Sequence, residues 1–150
     1  MGTQDSKKVV ERFDRIVEAC AAEQLDEICT PDMRNHALAL NRTAGLEGTK
    51  EFLRECRGDP GKAAWMHRMM GRHDLVTIAE GDYVIQFGKI AAAWPGRPFR
   101  GYDIPAGEYE CDVAFMYRLR NGRIAERWAV RDDLAMIKQL AGTPLHDVVA

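Results

Sequence analysis

The segment from Cys111 to Leu140 constrains the fold of this chain most. Two apolar runs, Tyr109 to Leu119 and Arg123 to Ala129, flank Asn121-Gly122. Asn-Gly between alternating runs is the strongest short-range hairpin signal, because both turn residues must accept positive φ. A helical pattern starts abruptly at Asp132 and runs to Leu140, where Gly142 and Pro144 supply stop signals. Alternation on the last strand places Arg127 and Ala129 on one face and Trp128 on the other.

Upstream, the periodicity is first helical and then extended. Val9, Val10, Phe13, Ile16, Val17 and Cys20 keep the spacing of one helix face, with Ser6 as its cap. A short helical turn is expected from Leu25 to Cys29, stopped by Pro31. Residues 32–44 read as a polar connection that contains His36. Gly45 to Gly48 precede a second helix, with Leu46, Phe52, Leu53 and Cys56 on one face. The run Arg57-Gly58-Asp59-Pro60-Gly61 is a break. Strands are then expected over 65–70, 75–79 and 83–92, with a turn at Glu80-Gly81-Asp82. Three of the six prolines fall in 94–107, which reads as a loop folded over a pocket. Helices first and antiparallel strands afterwards is an α+β order.

One domain spanning 1–150 accommodates these elements, at a length sufficient for a sizeable core. A net charge of −2 gives no electrostatic case for nucleic acid or an anionic membrane. No apolar run reaches the length of a bilayer span. The opening MGTQDSKK lacks the apolar segment of a secretory signal, so a cytoplasmic setting is expected. Gly2 and Ser6 match the bare myristoylation pattern, which reads here as a helix entry. Cys20, Cys29, Cys56 and Cys111 are scattered without a C-x-x-C pair, so they read as reduced, mostly buried thiols, with no metal implied.

Four segments carry a resemblance: TPDMRNHAL at 30–38, GLEGTKEFLREC at 45–56, IAEGDYV at 78–84 and DDLAMIKQL at 132–140. With the hairpin residues Tyr117, Arg118, Gly122, Arg123, Ile124, Glu126 and Trp128, their order and spacing resemble the SnoaL-like polyketide cyclases of the NTF2-like superfamily. The resemblance covers about Phe13 to Leu140. It implies a cone: a strongly bent antiparallel sheet wrapped around N-terminal helices, closed by a C-terminal helix, with an apolar cavity at the wide end. It also implies a homodimer through the outer sheet face, with Trp128 there. Its chemistry is cofactor-free: a proton is removed next to a carbonyl and the ring-closing alkoxide is protonated. The chain departs from the family pattern where the usual His is Arg127, the usual catalytic acid is Ala129 and a usually polar pocket position is Phe115.

Candidate site residues follow. Arg127 is inward by alternation and cannot shed its charge, so it needs a ligand anion or a buried acid such as Asp112, Asp132 or Asp133. His36 is the best available general base, because its ordinary pKa suits proton transfer near neutrality. A structural role as a loop histidine is the alternative. The resemblance places Val113, Phe115 and Ala129 on the cavity wall, and His67 and Asp132 are further candidates for substrate contact. His67 is equally suited to the surface, and Asp132 to capping the last helix. His73 reads as solvated, Met66, Met69 and Met70 as core or adaptable wall, and Tyr83, Tyr102 and Tyr109 as hydroxyl donors without a distinguishing spacing. The implied function is a cyclase or isomerase acting on a small polyketide-like or aromatic substrate. The alternatives are a non-catalytic small-molecule binder of the same fold, or an epoxide-opening enzyme resembling limonene epoxide hydrolase.

Overall fold

The computed structural model describes residues 2–38, 42–70 and 75–142. His73, and the side chains of Met69 and Met70, lie outside the described residues. Helix α1 (Thr3–Glu18) is followed by a 3-10 turn (Ala22–Gln24), a short α2 (Leu25–Ile28) and strand β1 (Cys29–Asn35). Helices α3 (Gly45–Gly58) and α4 (Pro60–Met70) lead into β2 (Val76–Glu80) and β3 (Tyr83–Trp94). A small hairpin, β4 (Arg97–Phe99) and β5 (Tyr102–Ile104), precedes β6 (Gly107–Arg120), β7 (Arg123–Arg131) and α5 (Asp133–Ala141).

The main sheet has the order β1-β7-β6-β3-β2. Neighbours pair antiparallel except β1, which runs parallel to β7. The sheet is therefore mixed, a correction to the expected all-antiparallel sheet within an otherwise matching α+β fold. Asn121 and Gly122 have φ of +51° and +76°, as a type I′ turn requires. The core lies between α1, α3, α4 and the inner sheet face, with Val10, Phe13, Leu53, Met66, Val84, Tyr117 and Ile124 almost completely buried. The glycines of the GLEG motif have a packing reason: a Cβ on Gly48 would overlap the Thr43 carbonyl.

Several local expectations need correction. Residues 65–70 belong to α4 and not to a strand. Asp59 is a helix start: its Oδ1 accepts from the backbone N–H of Gly61 (2.9 Å) and Lys62 (3.1 Å), and Pro60 sits at the first helical position. Residues 29–35 form a strand, so 32–35 depart from the polar connection expected over 32–44, because the parallel ladder to β7 outweighs the local polarity. Helix α1 begins at Thr3 with Gly2 as its cap, so Ser6 lies inside the first turn. The 94–107 segment is ordered as the β4–β5 hairpin, and β3 continues to Trp94.

Candidate functional site

Two cross-strand rows of the inner face build one wall of a cavity. Phe115 pairs with Ala129 and Tyr117 with Arg127 across β6 and β7. Opposite them stands α1, whose Phe13 meets the Tyr117 ring edge-on at 5.5 Å. The cavity has a volume of about 430 Å³ and reaches Phe13, Asn35, His36, Phe115, Arg127 and Ala129. It continues past Arg131 and Asp133 to Arg100, at the tip of the β4–β5 hairpin. Arg100 Nη2 reaches Asp133 Oδ2 at 3.1 Å, so one ion pair ties that hairpin across the mouth.

Arg127 is the electrostatic centre of this wall. Its guanidinium lies 5.0 Å from the Phe115 ring centre, 5.4 Å from Phe13 and 5.7 Å from Tyr117. Nη1 donates a long hydrogen bond of 3.5 Å to Asn35 Oδ1. Asn35 is itself oriented, because its Nδ2 donates to Thr49 Oγ1 at 3.0 Å. Among the described residues, the buried Nε of Arg127 finds no acceptor. None of the three acids considered for it from the sequence is its partner. Asp112 accepts from Lys89, Asp132 accepts from the Ala135 N–H, and Asp133 pairs with Arg100 and Arg131. Three aromatic faces and an amide thus hold a permanent cation at the cavity wall.

Behind this wall runs a buried polar chain that sequence reasoning missed. The Tyr117 hydroxyl donates to Asp14 Oδ1 at 3.4 Å, and Gln86 Nε2 donates to Asp14 Oδ2 at 2.7 Å. Asp14 and Gln86 are buried, and Tyr117 completely so. Burial pushes the Tyr117 phenol above its ordinary range, with the nearby Arg127 charge pulling the other way. The signal was present: Asp14 falls on the apolar stripe of α1 with Val10, Phe13 and Val17, where a carboxylate is out of place unless it has partners.

The remaining candidates separate. His36 borders the cavity, with its N–H bonded to the Arg127 carbonyl at 2.9 Å. Its ring stacks on Trp128 at 5.1 Å, and its Nε2 lies 2.8 Å from Glu126 Oε1. Glu126 also accepts from Arg118 at 2.8 Å, and His36 and Arg118 together hold its carboxyl below the usual range. Phe115 and Ala129 line the cavity. Val113 is core and does not reach it. Asp132 caps α5, leaving its neighbour Asp133 at the cavity. His67 is a correction: it sits on the exposed side of α4 with Nδ1 2.8 Å from Glu18, away from the cavity. Among the described residues, no group of three or more His, Cys, Asp or Glu side chains is placed to hold a metal. No helix among them is long and apolar enough to cross a membrane.

The family model of the SnoaL-like polyketide cyclases matches residues 7–140. The chain belongs to that family. Its fold is similar to solved structures at low sequence identity. TsrD from Streptomyces laurentii is 19% identical with a TM-score of 0.66, covering 95% of this chain and 99% of that one. A SnoaL-like polyketide cyclase from Agrobacterium tumefaciens is 14% identical with a TM-score of 0.65, covering 93% and 98%. An NTF2-like protein from Burkholderia xenovorans is 14% identical with a TM-score of 0.61, covering 92% and 97%. At these identities the likeness carries the fold alone. A comparison with curated proteins gives no match.

Proposed function

We propose that this SnoaL-like protein is a cofactor-free cyclase or isomerase for a small, enolisable polyketide-like or aromatic substrate. Arg127 would be its oxyanion anchor. The observation that carries this reading is the Arg127 guanidinium, held among three rings at the cavity wall with, among the described residues, no carboxylate bonded to it and no acceptor for its buried Nε–H. In a site screened from water, a fixed cation stabilises charge that develops on a substrate oxygen. His36 would remove the proton next to the carbonyl. Its ring stands at the cavity rim against Glu126 and Trp128, with Nε2 engaged by Glu126, so it would reach the substrate through Nδ1 from that rim. The enolate oxygen then rests on Arg127. Returning the proton to another carbon gives isomerisation, and attack of the enolate carbon on a second carbonyl, with the proton held by His36 passing to the new alkoxide, gives ring closure. Phe115 and Ala129 would contact the apolar body of the substrate.

A second reading, a non-catalytic binder, is favoured by Ala129, whose methyl group stands where the family's acid would be and transfers no proton. The other acid at the cavity, Asp133, is engaged by two arginines. Both readings need the same anion anchor, and 4-nitrophenol tests it. Its absorbance reports its ionisation, so binding beside Arg127 should lower its pKa by about 1–2 units, the worth of one charged hydrogen bond. Arg127→Leu should abolish that shift while keeping the fold. A bound phenol with an unshifted pKa would remove the oxyanion role. A shift that survives Arg127→Leu would place the phenol elsewhere. Turnover of an enolisable aromatic ketone, lost in His36→Ala, would separate the enzyme from the binder.

The outer sheet face supports a homodimer. Val76, Phe87, Ala114 and Val130 form one continuous cross-strand row, and Ile78, Ile85, Met116 and Trp128 the next. Val76, Ile78, Ile85, Phe87 and Val130 are each exposed, Val130 by 70%. A contiguous apolar face of this kind marks an interaction surface. A second copy satisfies it with one self-complementary patch. Four buried, unpaired thiols fit a reducing, cytoplasmic setting.

A further inference from the structure

A second cavity, of about 570 Å³, opens on the other side of Phe52 and Trp65, which line both spaces. Its far wall is Trp94, at the end of β3. It falls within the size range of small-molecule sites, and three aromatic side chains make its walls suited to a planar ring system.

Its charges are unevenly answered. Arg42 makes a two-pronged contact with Glu55, both bonds 2.9 Å, and Lys62 lies 3.9 Å from the same carboxylate. Arg68 pairs with Glu108. Asp59 is occupied with the first turn of α4. Arg97 differs from all of these. Among the described residues no carboxylate lies within ion-pair reach of it, and its guanidinium sits 5.0 Å from the centre of the Trp94 ring. That placement is fixed from both ends, because Trp94 Nε1 donates to the Arg97 carbonyl at 3.0 Å. The cavity therefore combines flat apolar walls and one oriented guanidinium fork.

We infer that this second cavity is a binding subsite for a planar aromatic carboxylate, with its ring among Trp94, Trp65 and Phe52 and its carboxylate on Arg97. The planar fork of arginine matches a carboxylate with two parallel hydrogen bonds, and its stacking on an indole leaves that fork free to make them. The site does not depend on the oxyanion role proposed for Arg127. The shared wall means that one extended ligand reaching from the first cavity would meet Arg97 with an acidic substituent.

Calorimetric titration with 2-naphthoate and with its uncharged counterpart 2-naphthamide tests the inference. Wild-type protein should bind the carboxylate about tenfold or more tightly than the amide. Arg97→Gln should remove that preference. Arg97 is exposed, so the variant should melt like wild type. Arg127→Leu should leave the preference in place, which keeps the two cavities apart. No preference for the carboxylate, a preference that survives Arg97→Gln, or one that disappears in Arg127→Leu would each overturn the assignment. The last of these results would still leave the oxyanion reading of the first cavity standing.

Discussion

The same two strands, β6 and β7, present Phe115, Tyr117, Arg127 and Ala129 toward α1, and Met116, Arg118, Glu126 and Trp128 away from it. On the inner face the cation has no carboxylate bonded to it among the described residues, and aromatic rings surround it. On the outer face the cation Arg118 has its carboxylate at 2.8 Å, and it is the apolar side chains that lack cover. Burying an unanswered charge is costly, as is wetting a broad apolar surface. Each face thus carries the kind of cost that a particular complement relieves: an anion inside, a second apolar surface outside. Alternation lets one pair of strands carry both, because neighbouring residues never share an environment.

The outer face offers the largest expected effect. Phe87 is 57% exposed and lies in the row that joins Val76 to Val130. Phe87→Asp would place a carboxylate at the centre of the proposed dimer contact. Loss of a central aromatic anchor costs about 2 kcal/mol or more, roughly a 30-fold weaker association. Light scattering across a dilution series should show wild type at twice the chain mass and the variant at one. Inner-face binding of 4-nitrophenol should persist in that monomer. A wild-type monomer at high micromolar concentration would break the comparison, since the outer face would then be stable in water as it stands.

The inner face responds through the polar chain behind it. Asp14→Ala would leave the Gln86 amide and the Tyr117 hydroxyl buried without their acceptor. Removing one member of a buried charged network costs about 3 kcal/mol. Thermal unfolding should fall by several degrees or more, with the mass unchanged. A stability loss under 1 kcal/mol would mean that water enters behind Tyr117, and that the inner face is less sealed than its burial indicates.

How far these faces could be read from sequence depended on which period applied. Alternation puts Arg127 and Ala129 on one side and Trp128 on the other, the resemblance adds Phe115, and the cross-strand register sets Phe115 beside Ala129 and Met116 beside Trp128. The Asn121-Gly122 turn pinned that register, because few other residues accept its dihedrals. Asp14 stayed hidden because the stripe of α1 was followed by its apolar members, and its partners come from strands more than 70 residues away. Residues 65–70 were read as extended because aromatic and bulky residues follow a Pro-Gly break. Asp59-Pro60 has the chemistry of a helix cap and first residue, which was the better guide. β1 was missed because its ladder is parallel and long-range, so no local alternation announces it. The second cavity assembles from α3, α4 and the end of β3, and nothing in the spacing of those segments brings Arg97 and Trp65 together.

The smallest effect distinguishes the faces by pH. Glu126, on the outer face, is held below the usual carboxyl range by His36 first and Arg118 next. The native state therefore binds its proton less readily than the unfolded chain. Stability from this group is present above the unfolded pKa and is lost as pH falls through the folded one. Tyr117, on the inner face, is shifted the other way, chiefly by burial. Its contribution is complete below the ordinary tyrosine pKa of about 10 and declines above it, as the unfolded chain releases a proton that the native phenol keeps. One such group changes stability by about 1.4 kcal/mol per pH unit at most. Urea unfolding between pH 9 and 11 should therefore show a declining arm that Tyr117→Phe makes shallower, because phenylalanine has no proton to release in either state. Glu126→Gln should leave that alkaline arm alone and flatten the acid one. If Tyr117→Phe leaves the alkaline slope as it was, the thiols carry it, since burial also raises Cys29 to about 12 and Cys56 to about 11. The inner face would then owe its alkaline sensitivity to β1 and α3 and not to the chain that backs Arg127.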